Sequence, residues 1–114
     1  MLIHINRKIF KSLNEDLQKT YIIDTVDSAL YNTRVSESDY PEISNAIYGL
    51  ITSLENLIED VGYNNWYSQD YSAYKEVCGF WHQTGRYAVS FFDLGAEEND
   101  PDSIDYSFEV WEYL

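Results

Sequence analysis

Basic residues are scarce in this 114-residue chain: seven lysines and arginines stand against 20 aspartates and glutamates, a formal charge of −13. So lopsided a balance repels phosphate, which argues against direct binding of nucleic acid, and it repels anionic membranes as well. Cysteine is scarcer still. Cys78 stands alone, so no internal disulfide can form, and a reducing, cytoplasmic setting is expected. No apolar run approaches the roughly 20 residues of a membrane span, and the opening MLIHINRKIF lacks the small-residue cleavage site of a secretory signal. Glycines occur at 49, 62, 79, 85 and 95, and none opens a helix after a strand, as a phosphate-binding loop requires. His4, His82 and Cys78 are too few and too irregularly spaced for a zinc site. Along an extended strand Cys78 and His82 would lie about 13 Å apart, too far for an imidazole to activate the thiol. No enzyme, metal or cofactor is expected.

What the chain does have is apolar material. Hydrophobic residues make up 45% and aromatic residues 17%, far more than a disordered chain carries, so one folded domain spanning 1–114 is expected. The clearest pattern runs from Pro41 to Val61. Ile43, Ile47, Leu50, Ile51, Leu54, Leu57, Ile58 and Val61 recur at three- and four-residue spacing and predict a long amphipathic helix. Pro41 suits its first turn, Ser38 or Asp39 its cap, and Gly62 its end. By this pattern Leu54 is buried, whereas Glu55 is a surface residue whose removal should matter little.

Upstream, Ile5, Ile9, Phe10, Leu13 and Leu17 predict a helix from Ile5 to about Lys19, with Arg7, Lys8 and Lys11 on its other side. A second pattern, Ile22, Ile23, Val26, Ala29 and Leu30, is out of phase with it, so a break is expected near Lys19 to Tyr21. After Gly62, Tyr63, Trp66, Tyr67, Tyr71 and Tyr74 form either a binding platform or a lid on the core. From Lys75 the period falls to two. KEVCGFWH and RYAVSFFDL read as strands joined by a turn at Gly85, and Ile104, Tyr106, Phe108 and Val110 mark a third. The expected fold is therefore α+β: N-terminal helices including the long amphipathic one, followed by a three-stranded antiparallel sheet.

Charge is distributed unevenly. The first 19 residues hold four of the bases and two acids, which leaves three bases and 18 acids for the remainder. The last 22 residues contain Asp93, Glu97, Glu98, Asp100, Asp102, Asp105, Glu109 and Glu112 and no lysine or arginine. The run from Glu98 to Glu109 echoes a calcium loop, but Ser103 occupies the place of its turn glycine and Pro101 stiffens it. Either these acids form a solvated face that serves solubility, or they form an array able to occupy the basic groove of a DNA-binding protein. Duplex DNA itself presents about one charge per 1.7 Å of axis. Trp111 among the acids supplies an anchor for such a partner, unless it packs in the core.

In size, acidity and the interleaving of acids with aromatics in DLGAEENDPDSIDYSFEVWEYL, the chain resembles the bacterial DNA-mimic proteins, above all those that bind the histone-like protein HU. The resemblance implies a monomeric protein that binds an HU-like partner in competition with DNA. It extends to immunity and anti-restriction inhibitors, which cover the basic active site of a toxin nuclease or defence enzyme. The expected contact residues are Asp93, Glu97, Glu98, Asp100, Asp102, Asp105, Glu109, Trp111 and Glu112. Arg7, Lys8 and Lys11 depart from a uniform mimic, and pairing with acids of the same chain would account for them.

Overall fold

In the computed structural model, which describes residues 1–68, 81–84 and 86–112, the chain is a mixed α+β fold. Its elements are β1 (Leu2–Ile5), α1 (Arg7–Ser12), α2 (Glu15–Leu30), α3 (Tyr40–Val61), α4 (Tyr63–Ser68), β2 (Trp81–Thr84), β3 (Tyr87–Asp93) and β4 (Tyr106–Glu112). Single 3-10 turns occupy Glu37–Asp39 and Pro101–Ser103.

The long stripe forms α3. Ile43, Ile47, Leu50, Ile51, Leu54 and Ile58 are buried, while Leu57 and Val61 lie half-buried at the edge of the core. Pro41 sits in the first turn, where its missing N–H has no intrahelical partner to lose. Asp39 occupies the cap position without a side-chain hydrogen bond. Gly62 ends the helix at φ 84°, a conformation that a side chain would oppose, and its N–H donates to the Ile58 carbonyl at 2.8 Å.

The three antiparallel strands expected from the C-terminal half are present in sequence order, and β1 joins them beside β4, giving the order β1-β4-β3-β2. Residues 75–80, including Cys78, lie outside the described residues, as do Tyr71, Tyr74, Gly85 and Tyr113. Ile3 and Ile5 of β1 stand opposite Phe108 and Tyr106, so the N-terminus adds two isoleucines to the same buried face. Over that face lie α2, against β1, and α3, against β2 and β3. Burying a large aliphatic side chain contributes about 1.5–3 kcal/mol, so the α3 stripe and the facing strands supply most of the core.

The N-terminal segment differs from the single helix expected over Ile5 to Lys19. Leu2–Ile5 is a strand, and α1 and α2 part at Leu13–Asn14 instead of near Lys19 to Tyr21. Two asparagines explain the division: the Asn6 side chain accepts from the Ile9 N–H at 2.9 Å and that of Asn14 from the Leu17 N–H at 3.0 Å. Each caps a helix start, and Glu15 and Asp16 suit the positive end of α2. Ile9, Leu17 and Ile23 are consequently exposed, while Phe10, Ile22, Val26 and Leu30 face the core. Among the described residues no helix is long and apolar enough to cross a membrane.

Candidate functional site

Between β3 and β4 the chain makes a loop that carries most of the C-terminal acids. A register shift at Phe91/Asp93 interrupts the regular pairing of β3 with β4, and the Asp93 carboxylate accepts from the Gly95 N–H at 3.0 Å. The Asp105 N–H donates to the Leu94 carbonyl at 2.9 Å, closing the base of the loop. At the tip, Glu97 to Asp100 turn through Asn99, whose φ of 58° an asparagine tolerates better than most residues.

Ser103 holds this loop together. Its hydroxyl accepts from the Glu97 N–H at 2.7 Å and donates to the Asp100 carbonyl at 2.6 Å. From α4, the Tyr63 hydroxyl donates to the Glu97 carbonyl at 2.6 Å. The Asp100 carboxylate accepts from the Asp102 N–H at 3.2 Å. The backbone is thus fixed from several sides while Glu97, Glu98, Asp100 and Asp102 all remain exposed. Among the described residues no lysine, arginine or histidine pairs with any of the four.

The other expected contact residues are placed differently. Asp105 is not unopposed: it accepts from the Arg7 N–H at 2.9 Å and meets His4 Nε2 at 2.6 Å. Burial would raise its pKa, but the Arg7 N–H, His4 and the Tyr106 N–H outweigh burial and hold it below the ordinary value. Glu109 and Trp111 lie on the outer face of β4, opposite Ser90 and Ala88, and Trp111 is 39% exposed and outside the core. Glu112 falls on the opposite face at the far end of the strand, with Arg86 at 3.5 Å. Six residues of strand, about 20 Å, separate it from the start of β4. The loop acids therefore form one group with Asp93 nearby, Glu109 and Trp111 extend along one sheet face, and Glu112 stands apart.

A second charged cluster supports the loop from inside. Arg7, expected on an exposed helix face, is buried. Its Nε and second terminal nitrogen reach the two Glu55 carboxylate oxygens at 2.7 and 3.2 Å, and its remaining terminal nitrogen donates to the Pro101 carbonyl at 2.9 Å. Lys11 lies 3.6 Å from the same carboxylate, and the buried Tyr106 hydroxyl donates to it. Glu55 is thus no idle surface residue. Burial would raise its pKa, yet hydrogen bonds from Arg7 and Tyr106 and the charges of Arg7 and Lys11 lower it overall. For Tyr106, burial first and the Glu55 charge second push the hydroxyl far above its usual range, so it stays a donor.

Of the aromatics after Gly62, Trp66 is fully buried, which makes it a lid on the core, and Tyr63 meets Trp66 at a tilt and stacks with Tyr67 while anchoring Glu97. Sequence reasoning missed Tyr63, Ser103 and Asn99 as loop supports. The signal was present in the Asn, Asp, Pro and Ser of residues 99–103, all turn formers. Compared with known proteins, the chain matches no family model, no curated sequence and no solved structure.

Proposed function

We propose that this protein is a DNA mimic: a non-enzymatic, monomeric bacterial protein of the cytoplasm that binds a basic, HU-like DNA-binding protein and keeps DNA from it. The observation that carries the reading is the loop of Glu97, Glu98, Asp100 and Asp102, four exposed carboxylates on a hydrogen-bonded backbone, none of them in an ion pair among the described residues, although the Arg7 guanidinium bonds the Pro101 carbonyl beneath them. Fixed charges need no reordering on binding, and a field of one sign speeds association with a partner of the other. The protein's own bases do little to cancel it, because Arg7, Lys11, Lys19 and Arg86 are engaged with Glu55, Glu15 and Glu112. Trp111, exposed beside Glu109, offers the desolvated anchor that carboxylates alone lack.

The test is titration of the protein into an HU-like protein already holding labelled duplex, with a basic nuclease in parallel. Release of duplex from the HU-like protein is expected. Formation of a ternary complex, or no binding to either partner, would reduce the acidic loop to a solvated surface. Binding to the nuclease alone would assign the loop to nuclease inhibition.

A further inference from the structure

Buried Leu94 and Ile104 fix the two ends of the loop between β3 and β4. Between them, among the described residues, two side chains from outside the loop hold it by polar bonds. Tyr63 of α4 donates to the Glu97 carbonyl at 2.6 Å and lies 3.3 Å from the Ser103 hydroxyl. Arg7 of α1 donates to the Pro101 carbonyl at 2.9 Å, and its backbone N–H donates to the Asp105 carboxylate at 2.9 Å. The returning limb of the loop is therefore held from the core by one residue.

Glu55 aims that residue. A guanidinium is planar, so once its Nε and one terminal nitrogen are fixed on the two oxygens of the Glu55 carboxylate, at 2.7 and 3.2 Å, the direction of the remaining nitrogen is set, and it is this nitrogen that reaches Pro101. Arg7 also has an alternative position. Although only 9% exposed, it lines two open clefts: one of about 580 Å³ shared with Lys11, Tyr48 and Glu55, the other of about 680 Å³ shared with Lys8, Asp102 and Asp105. Its guanidinium can turn into them without parting α1 from α3. Both groups then find a partner, for Lys11 Nζ already lies 3.6 Å from the Glu55 carboxylate, and Asp102, exposed and outside every ion pair of the described residues, lines the second cleft.

We infer that Arg7 is a latch on the acidic loop. With its guanidinium forked on Glu55 the segment from Glu97 to Ser103 is held; with the guanidinium turned into the clefts that segment loosens, while α3 and the sheet stay folded. Such a local opening is a minor state of the native protein, and any change that weakens the fork raises its population. The coupling belongs to the fold and stands whether or not a partner binds the loop. On the function proposed above, it sets how rigidly the four carboxylates are presented.

The experiment is hydrogen exchange on the whole protein, comparing the loop amides of Glu97, Asp100 and Ser103, all hydrogen-bonded within the loop, with those of Val89 and Val110 in the sheet. Arg7→Lys keeps the charge but loses the fork, and Glu55→Gln keeps the shape but presents an amide to donors. Each should speed exchange in the loop by at least about tenfold beyond any change in the sheet, since a hydrogen bond to a charged group contributes that much or more. Leu54→Ala, which weakens the core away from the latch, should do the reverse and leave the loop amides as in the parent. In the parent itself the Arg7 Nε proton should be no better protected than the loop amides, because its release precedes theirs; this measurement needs no variant and holds even where a substitution prevents folding. Loop and sheet amides quickened in proportion would make Arg7 a general support of the fold and overturn the inference. Loop amides unchanged in either variant, or an Nε proton that stays protected while the loop amides exchange, would also overturn it.

Discussion

Two groups of carboxylates in this protein differ in almost every respect except their chemistry. Glu55 is mostly shielded and receives Arg7, Lys11 and the Tyr106 hydroxyl. Glu97, Glu98, Asp100 and Asp102 are exposed, and the bonds that hold their loop are mainly made by backbone, Ser103 and Tyr63. In the first group the carboxylate holds the fold together. In the second the fold holds the carboxylates, none of which enters an ion pair among the described residues. Removing charge should therefore have opposite consequences in the two places.

The yardstick for stability is Leu54, fully buried in the middle of α3. Leu54→Ala should cost about 2–5 kcal/mol in denaturant unfolding, since it leaves a cavity between helix and sheet. Its neighbour sharpens the comparison. Glu55→Ala strands the buried Arg7 guanidinium and the Tyr106 hydroxyl, and breaking a buried pair costs about 3–5 kcal/mol when fully enclosed. Because Glu55 keeps some exposure, about 2–3 kcal/mol is expected. A loss under about 0.5 kcal/mol, usual for a surface position, would erase the distinction between the two groups.

Acid provides an independent comparison. Glu55 and Asp105 both have folded-state values held below their ordinary 4.5 and 3.8. Their stabilisation is thus full above those ordinary values and is lost as pH falls through the lowered ones. Stability should drop steeply below about pH 4.5, and the drop should be shallower in Glu55→Gln, where one of the two groups no longer titrates. Identical acid profiles for parent and variant would remove Glu55 from the account.

The smallest effects on stability belong to the surface. Changing Glu97, Glu98, Asp100 and Asp102 to the matching amides should leave the melting temperature equal or slightly higher, because repulsion between like charges is relieved. Trp111→Ala, on the outer sheet face, should change stability little and raise the off-rate of a bound partner. A large stability loss from Trp111→Ala would place the ring in packing instead.

How far the sequence could be read follows the length of each signal. The α3 stripe repeats over some six turns, and most of it is buried as expected; of the alternation, Tyr106, Phe108 and Val110 form the buried face of β4, and Ile104 is buried just before the strand begins. By contrast, β1 has four residues, and its partner β4 lies a hundred positions away. The i, i+4 spacing of Ile5 and Ile9 therefore read as a helix. Asn6 and Asn14 were the local evidence against it. Arg7 and Glu55 illustrate a different limit: each sits on the polar side of a helical pattern, and only their meeting across α1 and α3 makes them interior. The loop acids were legible as a charge array, but nothing in their spacing revealed that Ser103 and Tyr63 fix them or that Glu112 lies about 20 Å away.

The contrast is tested most directly by the association rate with an HU-like protein, measured against salt for the parent and for the four-amide loop variant. A rate that falls steeply for the parent as the Debye length shortens from about 10 Å at 0.1 M to about 3 Å at 1 M is expected. The variant should associate more slowly at low salt and converge with the parent at high salt. Equal rates at every salt concentration would contradict the assignment of these carboxylates to a partner.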